Sequence, residues 1–151
     1  MRDVIFLLGP NLDQLGRREP EIYGTLTLED LSRYCESVAA EFALSAAVFQ
    51  TNSEAKFIEA IHEAIGSFKA IVVNPGAFTH YSYAIADALA MFPGPKLEVH
   101  LSNVYGREPW RHRSVVSPVA NGAIVGLGIL GFKVAAMAVS GLLADIDAGA
   151  K

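Results

Sequence analysis

The chain has 151 residues, a length typical of one domain, and 52% of them are hydrophobic while only 19% are charged. This composition excludes a disordered chain, and the apolar excess favours a protein that buries subunit interfaces. Acidic residues outnumber basic ones by 16 to 12, and the resulting net charge of −4 argues against nucleic acid as a partner. The single cysteine, Cys35, excludes an internal disulfide and a cysteine-based zinc site.

No segment of the sequence is predicted to be a targeting signal or a membrane span. The apolar run over residues 4–8 is too short for a signal peptide and ends at Gly9-Pro10. The uncharged stretch over 114–132 is interrupted by Pro118, Asn121 and glycines, so a buried strand followed by a helix fits it better than a membrane helix. We therefore expect a cytoplasmic protein that does not bind membranes.

The first part of the chain is predicted to begin with a strand, a loop and a helix. Residues 4–8 form a continuous apolar run, which is typical of a strand covered on both faces. A long polar loop follows over 9–24, and loops of this length are usually functional. Thr27 then begins a helix that runs to about residue 43, because Thr27 and Asp30 have the spacing of a capping box.

The middle and the end of the chain continue this alternation. Further strands are predicted over 46–50, 70–73, 97–101 and 123–125. Asn52 and Ser53 are predicted to cap the second helix. Later helices are predicted over 79–90 and 127–143, and the tail over 145–151 is expected to fray.

Strands that alternate with helices predict βαβ units and a parallel sheet. We therefore predict an α/β fold over 1–151: a single catalytic domain, a flavodoxin-like three-layer sandwich with a five-stranded parallel sheet. Ligands bind such sheets outside the carboxyl ends of the strands. Polar side chains follow four of these ends, namely Asn11, Asn52, Asn74, His100, Ser102 and Asn103. Two loops bring arginines to the same edge, namely Arg17, Arg18, Arg107, Arg111 and Arg113.

This set of residues favours acid–base chemistry on a small polyhydroxylated anion. Arginine clusters bind carboxylates in bidentate fashion, and His100 is a natural acid or base near neutral pH. A free phenol such as that of Tyr23 has a pKa near ~10, but an adjacent guanidinium such as that of Arg18 favours its anion. An arginine-assisted tyrosinate is a sensible base for a C–H proton next to a ketone.

Each of these side chains also has a purely structural interpretation. Tyr23 can pack its loop against the body of the protein, and His100 can be a hydrogen-bonded structural histidine. Asn74 precedes Pro75-Gly76 and can simply form a turn. An ion pair between Arg18 and Glu19 on the surface is worth less than about 1 kcal/mol.

Two other function classes share the predicted architecture. A phosphoacceptor signalling domain needs an aspartate at the end of the third strand, where this chain has Asn74. A flavin-binding electron carrier needs a loop rich in serine and threonine after the first strand, where this chain has Gly9-Pro10-Asn11-Leu12. Both classes are disfavoured.

Six motifs, in order and covering nearly the whole chain, closely resemble the type II 3-dehydroquinate dehydratase family. They are Gly9-Pro10-Asn11-Leu12, Gly16-Arg17-Arg18-Glu19-Pro20-Glu21-Ile22-Tyr23-Gly24, Asn74-Pro75-Gly76-Ala77-Phe78-Thr79-His80, Glu98-Val99-His100-Leu101-Ser102-Asn103, Arg107-Glu108-Pro109-Trp110-Arg111-His112 and Ser117-Pro118-Val119-Ala120. The resemblance implies a hydro-lyase without metal or cofactor that forms dodecamers built from trimers.

The resemblance also implies roles for individual residues. Tyr23 is the expected base, Arg18 keeps it ionised, and His100 protonates the leaving hydroxyl with Glu98 and Asn11 as orienting groups. The loop over 9–24 is expected to act as a lid that excludes water and delivers Arg18 and Tyr23.

Further positions are implied to hold the substrate and the enolate. A water positioned by Asn11, Asn74 or both stabilises the enolate. The substrate-holding residues are Asn74, His80, Arg111, Leu101 and Ser102, with the last two using backbone amides, and Asp87 reaches the site of a neighbouring subunit.

The resemblance leaves the pathway open, because biosynthesis of aromatic amino acids through shikimate and breakdown of quinate use the same reaction. Lys69 and Lys96 fall at the starting ends of strands, so no lysine is placed for the imine chemistry of the unrelated type I enzyme. The sequence departs from the common family pattern at Asp13, Gln14, Tyr81, Tyr105-Gly106 and Trp110, which affects substrate affinity and lid movement.

Overall fold

A five-stranded, all-parallel sheet forms the centre of the protein, in the order β2-β1-β3-β4-β5. The computed structural model describes residues 1–149, without the side chain of Tyr23. The strands are β1 (Arg2–Leu8), β2 (Ala46–Gln50), β3 (Phe68–Asn74), β4 (Lys96–His100) and β5 (Gly122–Val125). This strand order is that of flavodoxin-like folds, and the predicted fold class is confirmed.

Helices cover both faces of the sheet. They are α1 (Pro20–Tyr23), α2 (Leu28–Glu41), α3 (Glu54–Ala64), α4 (Tyr83–Met91) and α5 (Leu130–Asp147). Alternate residues of β1 enter different cores, since side chains of a strand point to opposite faces. Phe6 packs with residues of α2 and α5, whereas Leu7 packs with residues of α3 and α4.

Two helix starts follow directly from the sequence. Thr27 Oγ1 accepts a hydrogen bond from the Asp30 amide at 3.2 Å, and the Asp30 carboxylate accepts from the Thr27 amide at 3.1 Å. Ser53 Oγ accepts from the Lys56 amide at 3.3 Å at the start of α3. The predicted capping box and the Ser53 cap are confirmed.

Three helical boundaries differ from the prediction. The helix expected from residue 79 begins at Tyr83, because Ser82 caps it by accepting from the Ile85 amide and residues Gly76–His80 form a separate 3-10 helix. Helix α5 begins at Leu130 rather than 127 and continues to Asp147, into the segment over 145–151 that was expected to fray. Residues 150 and 151 of that segment lie outside the described residues, and helix α1 was not predicted.

None of the helices that the structure describes has the length and apolar character needed to cross a bilayer.

Candidate active site

A cavity of about 310 Å³ lies at the carboxyl edge of the sheet, where the segments after β1, β3 and β4 meet. Its polar lining residues are Asn11, Arg18, Asn74, His80, His100, Ser102, Arg107 and Arg111. The structure therefore brings together most of the polar residues that the sequence places at strand ends. Asn52, Asn103, Arg17 and Arg113 are not among the lining residues.

The end of β4 supplies a buried histidine–carboxylate pair. His100 is 8% exposed and Glu98 is 1% exposed. His100 Nε2–H donates to Glu98 Oε1 over 2.7 Å. Because Nε2 is committed to the carboxylate, Nδ1 is the ring nitrogen that remains for proton exchange.

Glu98 is held as a carboxylate despite its burial. Burial by itself raises the pKa of Glu98, but hydrogen bonds from His100, Ser117 and Thr79 outweigh it and hold the pKa at about 2. A negative charge therefore stands beside His100 at neutral pH.

His80 stacks on His100 and is fixed by its own hydrogen bond. The centres of the two rings lie 6.4 Å apart, and the ring planes are inclined by 21°. His80 Nδ1–H donates to the Arg113 backbone oxygen over 2.7 Å. Burial lowers the pKa of His80, which favours its neutral form. Neutral His80 therefore presents Nε2 as an acceptor for a hydroxyl.

Arg111 is held between an aromatic ring and a carboxylate. Its guanidinium carbon lies 4.0 Å from the centre of the Trp110 ring, and its Nε donates to Glu108. Trp110 also contacts His80 edge to face, with 5.2 Å between the ring centres. These contacts orient Arg111 before any ligand binds, which suits the recognition of an anionic or hydroxylated group.

The chain segments that carry the two asparagines of the cavity are in close contact, since the Gly9 amide donates to the Asn74 backbone oxygen over 2.7 Å. A Cβ at Gly9 would lie 2.3 Å from the Pro75 backbone oxygen, so only glycine permits this approach. Asn11 has a left-handed backbone (φ 68°), and its amide donates to Asn52 Oδ1 at 2.9 Å. Asn74 both accepts from the Gly76 amide and lines the cavity, so its turn-forming and site interpretations hold together.

The loop over 9–24 carries Arg18 to the cavity. Arg18 Nε lies 3.5 Å from Glu19 Oε2, and the Arg18 side chain is 39% exposed. Glu19, whose backbone is also left-handed (φ 41°), accepts in addition from Arg107 Nη2 at 3.3 Å. Arg18 therefore forms the expected ion pair with Glu19, and it also lines the cavity. Tyr23 belongs to α1, and its side chain lies outside the described part of the chain.

The remaining predicted site residues fall into two groups. Leu101 and Ser102 line the cavity. Asp87 lies on the exposed face of α4, away from the cavity, so its contribution to a neighbouring subunit stays a prediction. Among the described residues, no group of three or more His, Cys, Asp or Glu side chains is arranged to hold a metal ion.

Four side chains at the site were given no role in the sequence interpretation. Trp110 contacts Arg111 and His80, and three hydroxyls, those of Thr79, Ser114 and Ser117, donate to Glu98. Only the motifs around residues 79, 110 and 117 signalled these positions, and nothing in local spacing connects them with Glu98.

The family model described as dehydroquinase class II matches residues 2–140 of this chain. The chain belongs to the class II dehydroquinase family. A 3-dehydroquinate dehydratase of Bacillus licheniformis is 50% identical over 135 residues, which are 89% of this chain and 93% of that protein. A catabolic 3-dehydroquinase 1 of Neosartorya fischeri is 49% identical over 134 residues, 89% of each chain.

Solved structures agree with this assignment. The type II dehydroquinase of Propionibacterium acnes superposes with a TM-score of 0.89 at 43% identity, covering 93% of this chain and 97% of that one. Because dehydroquinases of this class are hydro-lyases, the enzyme class and the family resemblance predicted from the sequence are confirmed.

Proposed function

We propose that the enzyme converts 3-dehydroquinate to 3-dehydroshikimate and water by acid–base elimination through an enolate. The observation that carries this proposal is the His100–Glu98 pair at the wall of a cavity that also contains Arg18 and Arg111. The cavity thus combines a histidine that is hydrogen-bonded to a carboxylate with groups that bind carboxylate and hydroxyl oxygens. No step in the proposed reaction requires a metal or a cofactor.

In the first step, the Tyr23 phenolate removes the proton from the carbon next to the ketone. The electron pair of that C–H bond moves to the carbonyl oxygen and forms the enolate. Arg18 supports this step because it reaches the cavity from the same loop, and a nearby guanidinium favours the phenolate. A water held by Asn11, Asn74 or both stabilises the enolate oxygen.

In the second step, His100 donates its proton to the leaving hydroxyl. The C–O bond breaks, the enolate electrons form the new C=C bond, and water leaves as the ketone is restored. The proton on Tyr23 and the proton lost by His100 are then re-equilibrated through solvent. Glu98 supports this step because its hydrogen bond of 2.7 Å fixes the imidazole ring beside a negative charge.

The substrate is held by residues around the cavity rather than by the acid and base alone. Arg111 is already oriented by Trp110 and Glu108. The other proposed contacts are Asn74, His80 and the backbone amides of Leu101 and Ser102, which donate to the substrate carboxylate. The loop over 9–24 closes as a lid, and Asp87 reaches the site of a neighbouring subunit.

We place the reaction in the shikimate pathway, with quinate catabolism as the second candidate. The catabolic relative from Neosartorya fischeri, at 49% identity, supports this candidate about as well as the Bacillus licheniformis relative, at 50%, supports the first. Growth on quinate as the carbon source, with and without the gene, distinguishes the two roles.

We also propose a cytoplasmic homo-oligomer, a dodecamer built from trimers. Large apolar side chains that are exposed on the isolated chain support subunit association, among them Met91 on α4 and Met137 on α5. The free, buried thiol of Cys35 fits a reducing compartment.

The activity is tested by the absorbance of the conjugated enone product after purified enzyme is mixed with 3-dehydroquinate. We expect turnover by the wild type and a loss of at least about a hundredfold in His100→Ala, the usual scale for a general acid. The matched control is His62→Ala, since His62 is exposed on α3. A wild type without product, or a covalent adduct trapped by borohydride, would contradict the proposal.

A further inference from the structure

Three hydroxyl groups from outside β4 surround the carboxylate of Glu98. Thr79 Oγ1 donates to Oε1, and Ser117 Oγ donates to Oε2. Ser114 Oγ lies 2.9 Å from Oε1 and 3.1 Å from Oε2. We refer to Thr79, Ser114 and Ser117 as the Glu98 cage. With His100, the cage supplies hydrogen-bond donors to both oxygens of a carboxylate that is almost inaccessible to water.

The direction of these hydrogen bonds follows from counting protons. Ser114 Oγ already accepts from the amides of Val116, at 3.1 Å, and Ser117, at 2.9 Å. A hydroxyl has two acceptor lone pairs and one proton, so the proton of Ser114 is directed to Glu98. Thr79 Oγ1, 3.2 Å from Ser114 Oγ, consequently finds its acceptor in Glu98 as well.

The cage is held in place by the backbone. The Val115 amide donates to the Thr79 backbone oxygen over 2.8 Å, which joins the segment after β3 to the segment before β5. Ser114 is fixed by the two amides that it accepts from. The donors are therefore positioned before the reaction, and they need no rearrangement when His100 changes its charge.

Such a cage is complementary to the ionised form of Glu98 only. A protonated Glu98 would turn a proton towards hydroxyls that already donate to it, and buried polar groups would lose their partners. Hydrogen bonds to an ionised acceptor are about twice as strong as those between neutral groups.

The surroundings make this charge important for His100. The small space around the pair is lined by further titratable or charged groups, namely His80, Tyr105, Arg111, His112 and Arg113. Arg18 and Arg107 line the main cavity, and Glu108 is paired with Arg111. Among the described residues that line the small space, Glu98 is the one carboxylate, so its charge is what offsets the neighbouring cations.

We propose that Thr79, Ser114 and Ser117 are positioning residues that hold Glu98 as a carboxylate through the whole cycle and thereby keep a negative charge and a hydrogen-bond acceptor beside His100, the proton donor to the leaving hydroxyl. This inference rests on the proposed function, since it specifies how the acid of that reaction is maintained. It assigns a chemical purpose to three hydroxyls that do not line the main cavity.

The test is the pH dependence of kcat for Thr79→Val, Ser114→Ala and Ser117→Ala in the full-length enzyme, with 3-dehydroquinate as substrate. The alkaline limb of kcat reports the acid in the enzyme–substrate complex. Loss of a cage donor weakens the negative charge beside the acid, so we expect the alkaline limb of kcat to move to lower pH by about one unit. We expect KM to change less than about twofold, because the cage residues do not line the main cavity.

A conservative variant and a structural control make the result specific. Thr79→Ser retains the hydroxyl and is expected to keep the wild-type position of the alkaline limb. Ser82→Ala also removes a buried hydroxyl that donates to a carboxylate, that of Glu54, and it removes the cap of α4. Ser82→Ala is expected to lower Tm without moving the alkaline limb of kcat.

A uniform loss of kcat at every pH in the cage variants, or an equal shift in Ser82→Ala, would overturn the proposal. If circular dichroism shows that Ser114→Ala does not fold, the proposal is tested by the position of the alkaline limb in Thr79→Val compared with that in Thr79→Ser. Failure of the proposed function has a different signature, because the wild type itself would then form no enone product.

Discussion

The two sides of the cavity are built in different ways. His100 and Glu98 lie on β4, are almost fully buried and are hydrogen-bonded to each other, and Glu98 also accepts from three hydroxyls. Arg18 lies on the loop over 9–24, is 39% exposed, and has an ion pair of 3.5 Å with its neighbour Glu19. The fold thus orients the acid in advance, whereas the base side depends on the position that its loop adopts. Substitutions on the two sides are therefore expected to impair catalysis in different ways.

The largest effect is expected on the loop side, in Tyr23→Phe. Removing the phenol oxygen removes the base, and kcat should fall by at least about a hundredfold. The absorbance assay measures this loss, with Tyr34→Phe on α2 as the control. Activity near that of the wild type in Tyr23→Phe would assign the base to another group.

A smaller effect is expected in Arg18→Ala, where the phenol remains but its charged neighbour is lost. We expect a loss of roughly tenfold to a hundredfold near neutral pH, and the acid limb of kcat should move to higher pH because the phenolate forms less readily. Arg17→Ala is the matched control, because Arg17 is the preceding residue but does not line the cavity. Equal losses in both variants would count against a specific role for Arg18.

Substitutions in the framework, away from both sides, should change stability and leave the chemistry intact. Ser53→Ala removes the cap of α3 and should lower the free energy of unfolding by about 1 kcal/mol. Ser37→Ala is the control, because the Ser37 hydroxyl donates to the Tyr34 carbonyl within α2 and caps no helix. Urea denaturation measures the difference, and kcat per folded molecule should stay at the wild-type value.

The last effect is expected at the start of β1, where it concerns stability alone and depends on pH. Hydrogen bonds from Lys69 and Ser45 lower the pKa of Asp3 from 3.8 to about 2. Because this pKa is depressed in the folded state, the carboxylate stabilises the fold above pH 3.8, and the contribution is lost as the pH falls towards 2. Asp3→Asn should be less stable than the wild type at pH 7, and the difference should disappear near pH 2. A difference that persists at pH 2 would show that it does not come from ionisation.

The fold was largely predictable because its signals are local. The prediction for β2 matches the observed Ala46–Gln50, and the caps at Thr27 and Ser53 follow from side chains next to the helix starts. The start of α4 was misplaced because Ser82, rather than a residue near 79, provides the cap. Helix α1 was missed because four residues carry too little periodicity to predict a helix.

The site was predictable only in part. His100, Asn74 and Arg18 could be assigned to one edge because strand ends of a parallel sheet meet there. The Glu98 cage could not be predicted, because Thr79, Ser114 and Ser117 approach Glu98 through tertiary packing of separate segments. The stacking of Arg111 on Trp110 likewise depends on side-chain orientation rather than on spacing.

Solvent exchange tests most directly whether the loop side removes the substrate proton while the β4 side protonates the leaving hydroxyl. In deuterium oxide, mass spectrometry follows both the exchange of the abstracted proton of 3-dehydroquinate and the formation of product. In His100→Ala, the base side is intact, and we predict exchange without dehydration, whereas Tyr23→Phe should show neither. Exchange in Tyr23→Phe at the rate seen in His100→Ala would contradict the account, because proton abstraction would then not require the loop.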